Sequence, residues 1–309
     1  MPSTPMRSSA GSWAMSVLDP VVLSAIHDLE LVARVTVEGA LSGLHRSPFH
    51  GYSAEFSQYR HYRPGDDFKY VDWKLFARTD RIYTKQFRET TNVRVQVVVD
   101  ASASMGFRGR SGITKLDYAR LIAAGFSHLV VGQGDAVGLV VHDEGIRRYI
   151  GARGGRTHLR SILTALSGVT ASGRTASSAA LRRAVDLLRS RGVLVFISDL
   201  YDDEDGTDAE LKRAARIGHD VIVFQVLTPD EISLTVRGAT EFEDMETGQT
   251  ILAGETSVRA YNTRVEQFLR RWRERCATYG IDYVLARTDA PLDATLRSYL
   301  LQRPRGARR

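Results

Sequence analysis

Residues 93–104 read VRVQVVVDASAS, an apolar run that ends in one carboxylate and two hydroxyls at alternate positions. A short run of β-branched residues is typical of a strand buried on both faces of a parallel sheet. The glycines after Met105 then lead into a helix-like run that begins near Lys115. A strand, a loop and a helix in this order favour an α/β fold, with Asp100, Ser102 and Ser104 placed where the strand ends.

The alternating oxygens at this strand end are suited to a hard divalent cation. Mg²⁺ prefers about six oxygen ligands near octahedral geometry and keeps several of its waters. Hydroxyls are neutral ligands, so an ion held by Ser102 and Ser104 stays under-neutralised and open to a carboxylate from outside. For the pentapeptide alone, an Asx or Ser turn that closes the strand is an equally good interpretation.

Two later segments support the metal interpretation. The loop Ser172-Gly173-Arg174-Thr175 precedes a helix-like run, and residues 193–199 form a second buried-type strand that ends in Asp199. Strand ends on one side of an open α/β sheet converge where ligands bind. We therefore expect one Mg²⁺ or Mn²⁺ ion to be held by five residues: Asp100, Ser102, Ser104, Thr175 and Asp199.

These residues and their flanking text resemble two known groups of proteins. The order Asp-x-Ser-x-Ser, Thr, Asp resembles the metal-ion-dependent adhesion site of von Willebrand factor A domains. GLHRSPFHGYSAEFSQYRHYRPGDDFKYVDWKLFARTDRIYTKQF (43–87), followed by VVVDASASM, resembles the domain of unknown function 58 family. The resemblance runs from about residue 18 to the end and includes GIDYVLARTDAPLDATLRSYLLQR (280–303). It implies that Thr175 closes the metal site directly or through water, and that Asp199 mainly holds a coordinating water.

The alternation of apolar runs and amphipathic runs from Val93 onward predicts the fold class. It is an α/β fold with a doubly wound, mostly parallel sheet flanked by helices, and with an N-terminal helical and irregular extension. The resemblance implies that this fold is von Willebrand factor A-like. Strands are predicted at 93–99, 136–142, 193–198, 221–227 and 281–286. Helices are predicted at 115–131, 158–167, 176–190, 208–217, 258–277 and 291–301, and a hairpin at Glu241 to Leu252.

Four parts of the chain are expected. They are a disordered tail at 1–17, a family-specific segment at 18–90 packed on the main domain, the von Willebrand factor A-like domain at 91–303, and a basic tail at 304–309. Within the second part, Asp19-Pro20 predicts a helix from Pro20 to about Ala40, because proline after an N-cap residue is typical of a first helical turn.

The segment 43–90, before the strand that begins at Val93, carries a second cluster of charged and aromatic residues. Trp73 is expected to be a buried anchor, because a large aromatic ring contributes mainly through apolar burial. The plainer interpretation of the neighbouring charges is a turn and an Asp–Arg pair that fix the segment to the main domain. The alternative is a partner-docking surface formed by Asp66, Asp67, Asp72 and Arg78.

Composition narrows the classes of function. The single cysteine, Cys276, excludes an internal disulfide and is typical of a reducing cytoplasm. No run of 18 apolar residues and no signal-peptide pattern is present, so we expect a cytoplasmic protein without a membrane span. The net charge of +6 includes four arginines near the C-terminus, Arg303, Arg305, Arg308 and Arg309. Basic runs interleaved with aromatics are missing, which argues against nucleic acid as a partner.

Two functions remain open from the sequence. In the first, the chain is a metal-dependent protein-interaction module that binds a partner carboxylate through Mg²⁺. By resemblance, it is an adaptor or co-chaperone of a MoxR-type AAA+ ATPase that acts on a client protein, and it has no catalytic activity of its own. In the second, it is a Mg²⁺-dependent hydrolase, either a phosphatase or a nuclease. That chemistry needs a base or nucleophile beside the metal, and the sequence indicates no histidine or lysine in that position.

Overall fold

The structure, a computed structural model, describes residues 19–26, 28–41, 53–63, 66, 71–90, 93–188, 190–235, 240–243 and 250–302. In chain order the strands are β1 Ser53–His61, β2 Tyr83–Thr90, β3 Arg94–Asp100, β4 Ala136–His142, β5 Ile146–Arg153, β6 Val193–Ser198, β7 Asp220–Leu227, β8 Thr240–Glu243, β9 Thr250–Ala253 and β10 Asp282–Arg287. The helices are α1 Pro20–Ala25, α2 Leu29–Leu41, α3 Trp73–Thr79, α4 Lys115–Gly132, α5 Arg156–Ser167, α6 Ser177–Leu187, α7 Glu204–Ile217, α8 Pro229–Ile232, α9 Glu255–Tyr279 and α10 Leu292–Gln302. The predicted tails at 1–17 and 304–309 lie outside the described residues.

A six-stranded sheet in the order β10-β7-β6-β3-β4-β5 forms the centre of the domain. All neighbouring pairs in it are parallel except β4 and β5, which are antiparallel. The chain leaves β3 first toward β4 and later toward β6, so β3 lies at the point where the strand order reverses. The predicted fold class is confirmed: a doubly wound, mostly parallel sheet flanked by helices.

Apolar side chains on both faces of the sheet explain why its central strands β3, β4, β6 and β7 are almost entirely buried. On one face Val97, Val195 and Phe224 pack with residues of α2, α4, α5 and α10. On the other face Val98, Phe196 and residues of α6, α7 and α9 form a second core. Because both faces are covered by helices, the strands are continuous hydrophobic runs without polar alternation.

The predicted strands and the helices from residue 115 onward are found with small shifts at their ends, and β8 and β9 form the predicted antiparallel hairpin. The predicted helix from Pro20 to Ala40 is two helices. Asp28 explains the break, because its Oδ1 accepts the backbone N–H groups of Glu30 (3.0 Å) and Leu31 (3.0 Å) and so caps a new helix. The antiparallel edge strand β5 is an addition to the predicted set.

The N-terminal segment consists of two different parts. Helix α2 belongs to the main core, where Val32, Ala33 and Val37 are buried with residues of α4 and α10. The part after it is an antiparallel pair of strands, β1 and β2, and α3 lies in the connection between them. The expectation that Trp73 is a buried anchor is wrong, because it begins α3 and is 57% exposed. Its ring stands edge-on to Phe76 (centroids 6.3 Å apart) on the same short helix.

Candidate metal centre

Asp100, the last residue of β3, is fully buried and held from two directions. Its Oδ2 accepts the hydroxyl of Ser198 at 2.7 Å, and Ser198 ends the neighbouring strand β6. Its Oδ1 accepts the backbone N–H of Ser102 at 2.9 Å. The Asx-type turn that the sequence left as an alternative is therefore present. It leaves other lone pairs on the carboxylate, so the turn and a metal site are compatible.

The two serines after Asp100 lie beside each other and beside Asp199. The hydroxyl oxygens of Ser102 and Ser104 are 3.1 Å apart. Ser104 donates to Oδ2 of Asp199 at 2.8 Å, across 95 residues of sequence. A 3₁₀ turn at Ala103–Gly106 brings Ser104 back toward β6. The structure thus brings Asp100, Ser102, Ser104 and Asp199 together at one edge of the sheet.

The loop that contains Thr175 packs against the same turn. The N–H of Ala103 donates to the carbonyl of Gly173 (2.9 Å), and the N–H of Ser172 donates to the carbonyl of Ala101 (2.9 Å). Gly173 has φ of +72°, a left-handed conformation that glycine adopts without steric cost. Thr175 is half-buried in this loop. Its role in closing the site stays a prediction.

Backbone strain marks the turn after Asp199. Leu200 has φ of +63°, a conformation that is rare for residues other than glycine. The turn lets the N–H of Leu200 donate to Ser198 Oγ (3.0 Å) and the N–H of Tyr201 donate to Asp199 Oδ1 (3.2 Å). Such strained residues cluster at functional sites, where the surrounding contacts hold them.

Lys115 is a site residue that the sequence reasoning missed. Its side chain is 1% exposed, and its ammonium lies 2.7 Å from Asp199 Oδ2 and 2.6 Å from Glu231 Oε1. Burial by itself lowers the pKa of Lys115, but the two carboxylates outweigh burial and raise the pKa above its ordinary value. A signal was available: Lys115 follows the N-cap Thr114 as the first residue of α4, where a cation opposes the helix dipole.

The arrangement fits a hard divalent cation. The Ser104 hydroxyl lies 3.1 Å from the Ser102 hydroxyl and 2.8 Å from Asp199 Oδ2. Both separations are close to the edge of about 3 Å of an octahedron with Mg–O distances of about 2.1 Å. The carboxylates of Asp100, Asp199 and Glu231 and the ammonium of Lys115 leave two negative charges when all are ionised. Burial raises the pKa of Asp100, while its hydrogen bonds and His142 act in the opposite direction.

The ligand set depends on hydroxyls. No cluster of three or more His, Cys, Asp or Glu side chains in the described part of the chain is placed to hold a metal ion. Ser102 is fully buried, whereas Ser104 and Thr175 are half-buried. An ion at this position would therefore be reached from the side of Ser104 and Thr175.

Two of the four residues predicted as a docking surface, Asp66 and Asp72, make contacts within their own segment. Asp66 binds Arg60 through both oxygens (2.7 and 2.9 Å) and accepts the N–H of Arg63, and this backbone hydrogen bond leads the causes that lower its pKa. Asp72 caps α3 and accepts the hydroxyl of Tyr59 at 2.9 Å. Arg78 is exposed on α3. Asp67 lies outside the described residues, and a docking role for these side chains stays a prediction.

A cavity of about 250 Å³ opens elsewhere, between β5 and α5. Its lining includes Arg147, Arg148, Thr164 and Val169 and none of the five predicted ligands. In the described residues, none of the helices is long and apolar enough to cross a membrane.

Comparison with known proteins identifies relatives over most of the chain. The family model described as "Protein of unknown function DUF58" matches residues 58–274. An uncharacterized protein of Mycobacterium bovis, Mb1516, is 30% identical over 234 residues, which cover 74% of this chain and 73% of that protein. The uncharacterized protein Rv1480 of Mycobacterium tuberculosis matches with the same values.

Solved structures show a more distant similarity. An aerotolerance-related membrane protein from Bacteroides fragilis is 20% identical with a TM-score of 0.45, covering 67% of this chain and 98% of that one. BatB from Bacteroides thetaiotaomicron is 17% identical with a TM-score of 0.45, covering 69% and 100%. The VWA domain of SpRpn10 is 12% identical with a TM-score of 0.43, covering 71% and 100%. The strand order β10-β7-β6-β3-β4-β5 itself defines the fold of this chain.

Proposed function

The chain belongs to the DUF58 family of proteins of unknown function, and from that premise we propose that it is a metal-dependent protein-interaction module. In this proposal it holds one Mg²⁺, or Mn²⁺, at the ends of β3 and β6 and binds a carboxylate of a partner protein through the ion. One observation carries the proposal: the hydroxyl oxygen of Ser104 lies 3.1 Å from that of Ser102 and 2.8 Å from Oδ2 of Asp199, at a half-buried edge of the sheet.

Each residue of the site has a distinct part in this proposal. Ser102 and Ser104 supply the hydroxyl ligands, and Thr175 closes the site from the neighbouring loop. Asp100 and Asp199 are already engaged by Ser198 and Lys115, so they would balance the charge of the ion and hold its waters. A bound Mg²⁺ supplies an open coordination position for an oxygen from outside.

The partner is proposed by family resemblance. Proteins of this kind are associated with MoxR-type AAA+ ATPases, which makes this chain an adaptor or co-chaperone in ATP-driven remodelling of a client protein in the cytoplasm. A partner aspartate or glutamate suits the site because it neutralises an ion that hydroxyls leave under-compensated.

The hydrolase alternative lacks a suitable group among the described residues. Metal-dependent hydrolysis needs a base or nucleophile near the ion. His142 lies beside Asp100 in the sheet, but it is fully buried. Lys115 is held between Asp199 and Glu231. These observations support binding over catalysis at this site.

Isothermal titration calorimetry with MgCl₂ tests the metal site. We expect the wild-type chain to bind one Mg²⁺ with modest affinity, and Asp100→Ala to bind none. Asp186→Ala is the matched control, because Asp186 pairs with Arg213 on the surface and takes no part in the site. Equal heats of binding in wild type and Asp100→Ala would sink the assignment.

Capture experiments test the partner. A purified MoxR-type ATPase should be retained by the immobilised chain with Mg²⁺, and both EDTA and Ser104→Ala should reduce retention. Retention that EDTA leaves unchanged would move the docking point away from the metal, to the segment of Asp66 and Arg78. Turnover of a phosphomonoester or of DNA that disappears in Asp100→Ala would instead establish the hydrolase.

A further inference from the structure

A buried lysine is part of the strand-end site. The Lys115 side chain is 1% exposed, and Asp199, which it contacts, is equally buried. Oδ2 of Asp199 receives both the ammonium of Lys115 (2.7 Å) and the hydroxyl of Ser104 (2.8 Å). The oxygen that faces the proposed metal ligands therefore already has a cation of the protein's own beside it.

Glu231 fixes this lysine from the opposite side. Its Oε1 is 2.6 Å from Lys115 Nζ, and its Oε2 accepts both the N–H and the hydroxyl of Thr228 (2.8 and 2.9 Å) in a capping box at α8. Glu231 is thus held by its own helix end, with its side chain 13% exposed. If the ammonium moved away from Asp199, it would also lose its ion pair with Glu231.

We propose that Lys115 is a built-in cation that weakens metal binding at the strand-end site, and that Glu231 offsets this effect. The proposal rests on the function proposed above and adds how the site is regulated. Lys115 acts through Asp199: it holds this carboxylate in place and adds a positive charge beside the ion, and it does not touch the ion itself.

Two physical consequences follow from a fixed ammonium in this place. Without metal, Lys115 stays paired with Asp199 at 2.7 Å, so the site keeps its shape. With metal, the ion and the ammonium share one carboxylate and repel each other, and this repulsion is weakly screened because the groups are buried. The surplus positive charge then favours a partner carboxylate, which makes metal and partner bind cooperatively.

A purely structural role for Lys115 makes different predictions. A lysine that only bridges α4, β6 and α8 would stabilise the fold, and its loss would loosen the site and weaken metal binding or leave it unchanged. An electrostatic role predicts changes of opposite sign when the positive and the negative member of the pair are removed. The sign of the change in affinity therefore separates the two roles.

The experiment is calorimetry of the full chain with MgCl₂ and, separately, MnCl₂. Relative to wild type, we expect Lys115→Met to bind the ion about tenfold more tightly and Glu231→Gln to bind it about tenfold more weakly. The double variant Lys115→Met with Glu231→Gln should lie close to wild type. Glutamine keeps an acceptor for the capping box of α8.

Asp230→Asn is the matched control. Asp230 precedes Glu231 on α8 and pairs with Arg110, whose side chain is 70% exposed, and it touches neither Asp199 nor Lys115 in the described contacts. We expect its affinity for the ion to equal that of wild type. A loss as large as that of Glu231→Gln would mean that disturbing α8, and not the charge beside Lys115, changes the site.

Thermal unfolding with and without the ion completes the test. Lys115→Met should melt at a lower temperature without metal and gain more from added Mg²⁺ than wild type does. Weaker or unchanged binding by Lys115→Met would overturn the proposal. If Lys115→Met does not fold, unchanged metal binding by Glu231→Gln is by itself enough to overturn the proposal. Failure of wild type and all variants to bind either ion would refute the metal site itself.

Discussion

Single residues of the strand-end site are held by contacts from distant parts of the chain. Asp100 receives Ser198, and Asp199 receives Ser104 and Lys115. Both buried carboxylates are thus hydrogen-bonded, which offsets the cost of their desolvation. Leu200, with its positive φ, shows that the fold tolerates local strain to complete this arrangement.

Two tryptophans give a test at the residue scale. Trp272 on α9 is 1% exposed, whereas Trp73 on α3 is 57% exposed. Trp272→Ala should lower the free energy of unfolding by about 3–5 kcal/mol, because it removes a large side chain from the core. Trp73→Ala should change it by only about 0.5 kcal/mol. Urea unfolding followed by circular dichroism measures both, and a large loss in Trp73→Ala would restore the buried-anchor interpretation.

At the scale of elements, α2 completes one layer of the domain. Its buried face, Val32, Ala33 and Val37, belongs to the same core as α4 and α10. Arg297 of α10 donates to the carbonyl of Gly39 at 2.6 Å near the end of α2. Helix α2 thus covers part of α4.

A charge placed on α2 tests this packing. Val37 is 7% exposed and Val22 on α1 is 39% exposed. Val37→Asp should destabilise by about 4 kcal/mol or more, because a carboxylate without a partner would be buried in an apolar core. Val22→Asp should change stability by about 0.5 kcal/mol or less. Similar melting temperatures for the two variants would show that α2 is dispensable to the core.

For the whole molecule, the sheet brings together residues that lie far apart in sequence. The parallel register of β3 with β6 aligns Val99 with Ile197, so the residues just beyond both strands meet at one edge. The strand order reverses at β3, which is where ligands bind in open α/β sheets.

Metal linkage gives a test at this scale. A ligand that binds only the folded state stabilises it, by about 2.7 kcal/mol when its free concentration is one hundred times Kd. Saturating Mg²⁺ should therefore raise Tm of the wild-type chain, and EDTA should reverse the rise. The increase should vanish in Asp100→Ala. An equal increase in Asp100→Ala would mean that the ion binds elsewhere.

The sequence alone determined the alternation of strands and helices, because apolar periodicity is a local property of the chain. It also predicted that Asp100, Ser102, Ser104 and Asp199 lie close together, because the carboxyl ends of parallel strands share one edge of the sheet. The helix cap at Asp28 could also be predicted from the sequence. Because it was overlooked, α1 and α2 were predicted as one helix.

Other features were decided only by the tertiary structure. In the sequence, Lys115 is an ordinary first residue of a helix. Only the fold brings Glu231, 116 residues later, into contact with its ammonium. The exposure of Trp73 and the addition of β5 to the sheet likewise depend on which surfaces remain after the core has formed. The physical reason is that burial and pairing are set by contacts between distant segments, and a local pattern records the chemistry of a residue without recording its neighbours.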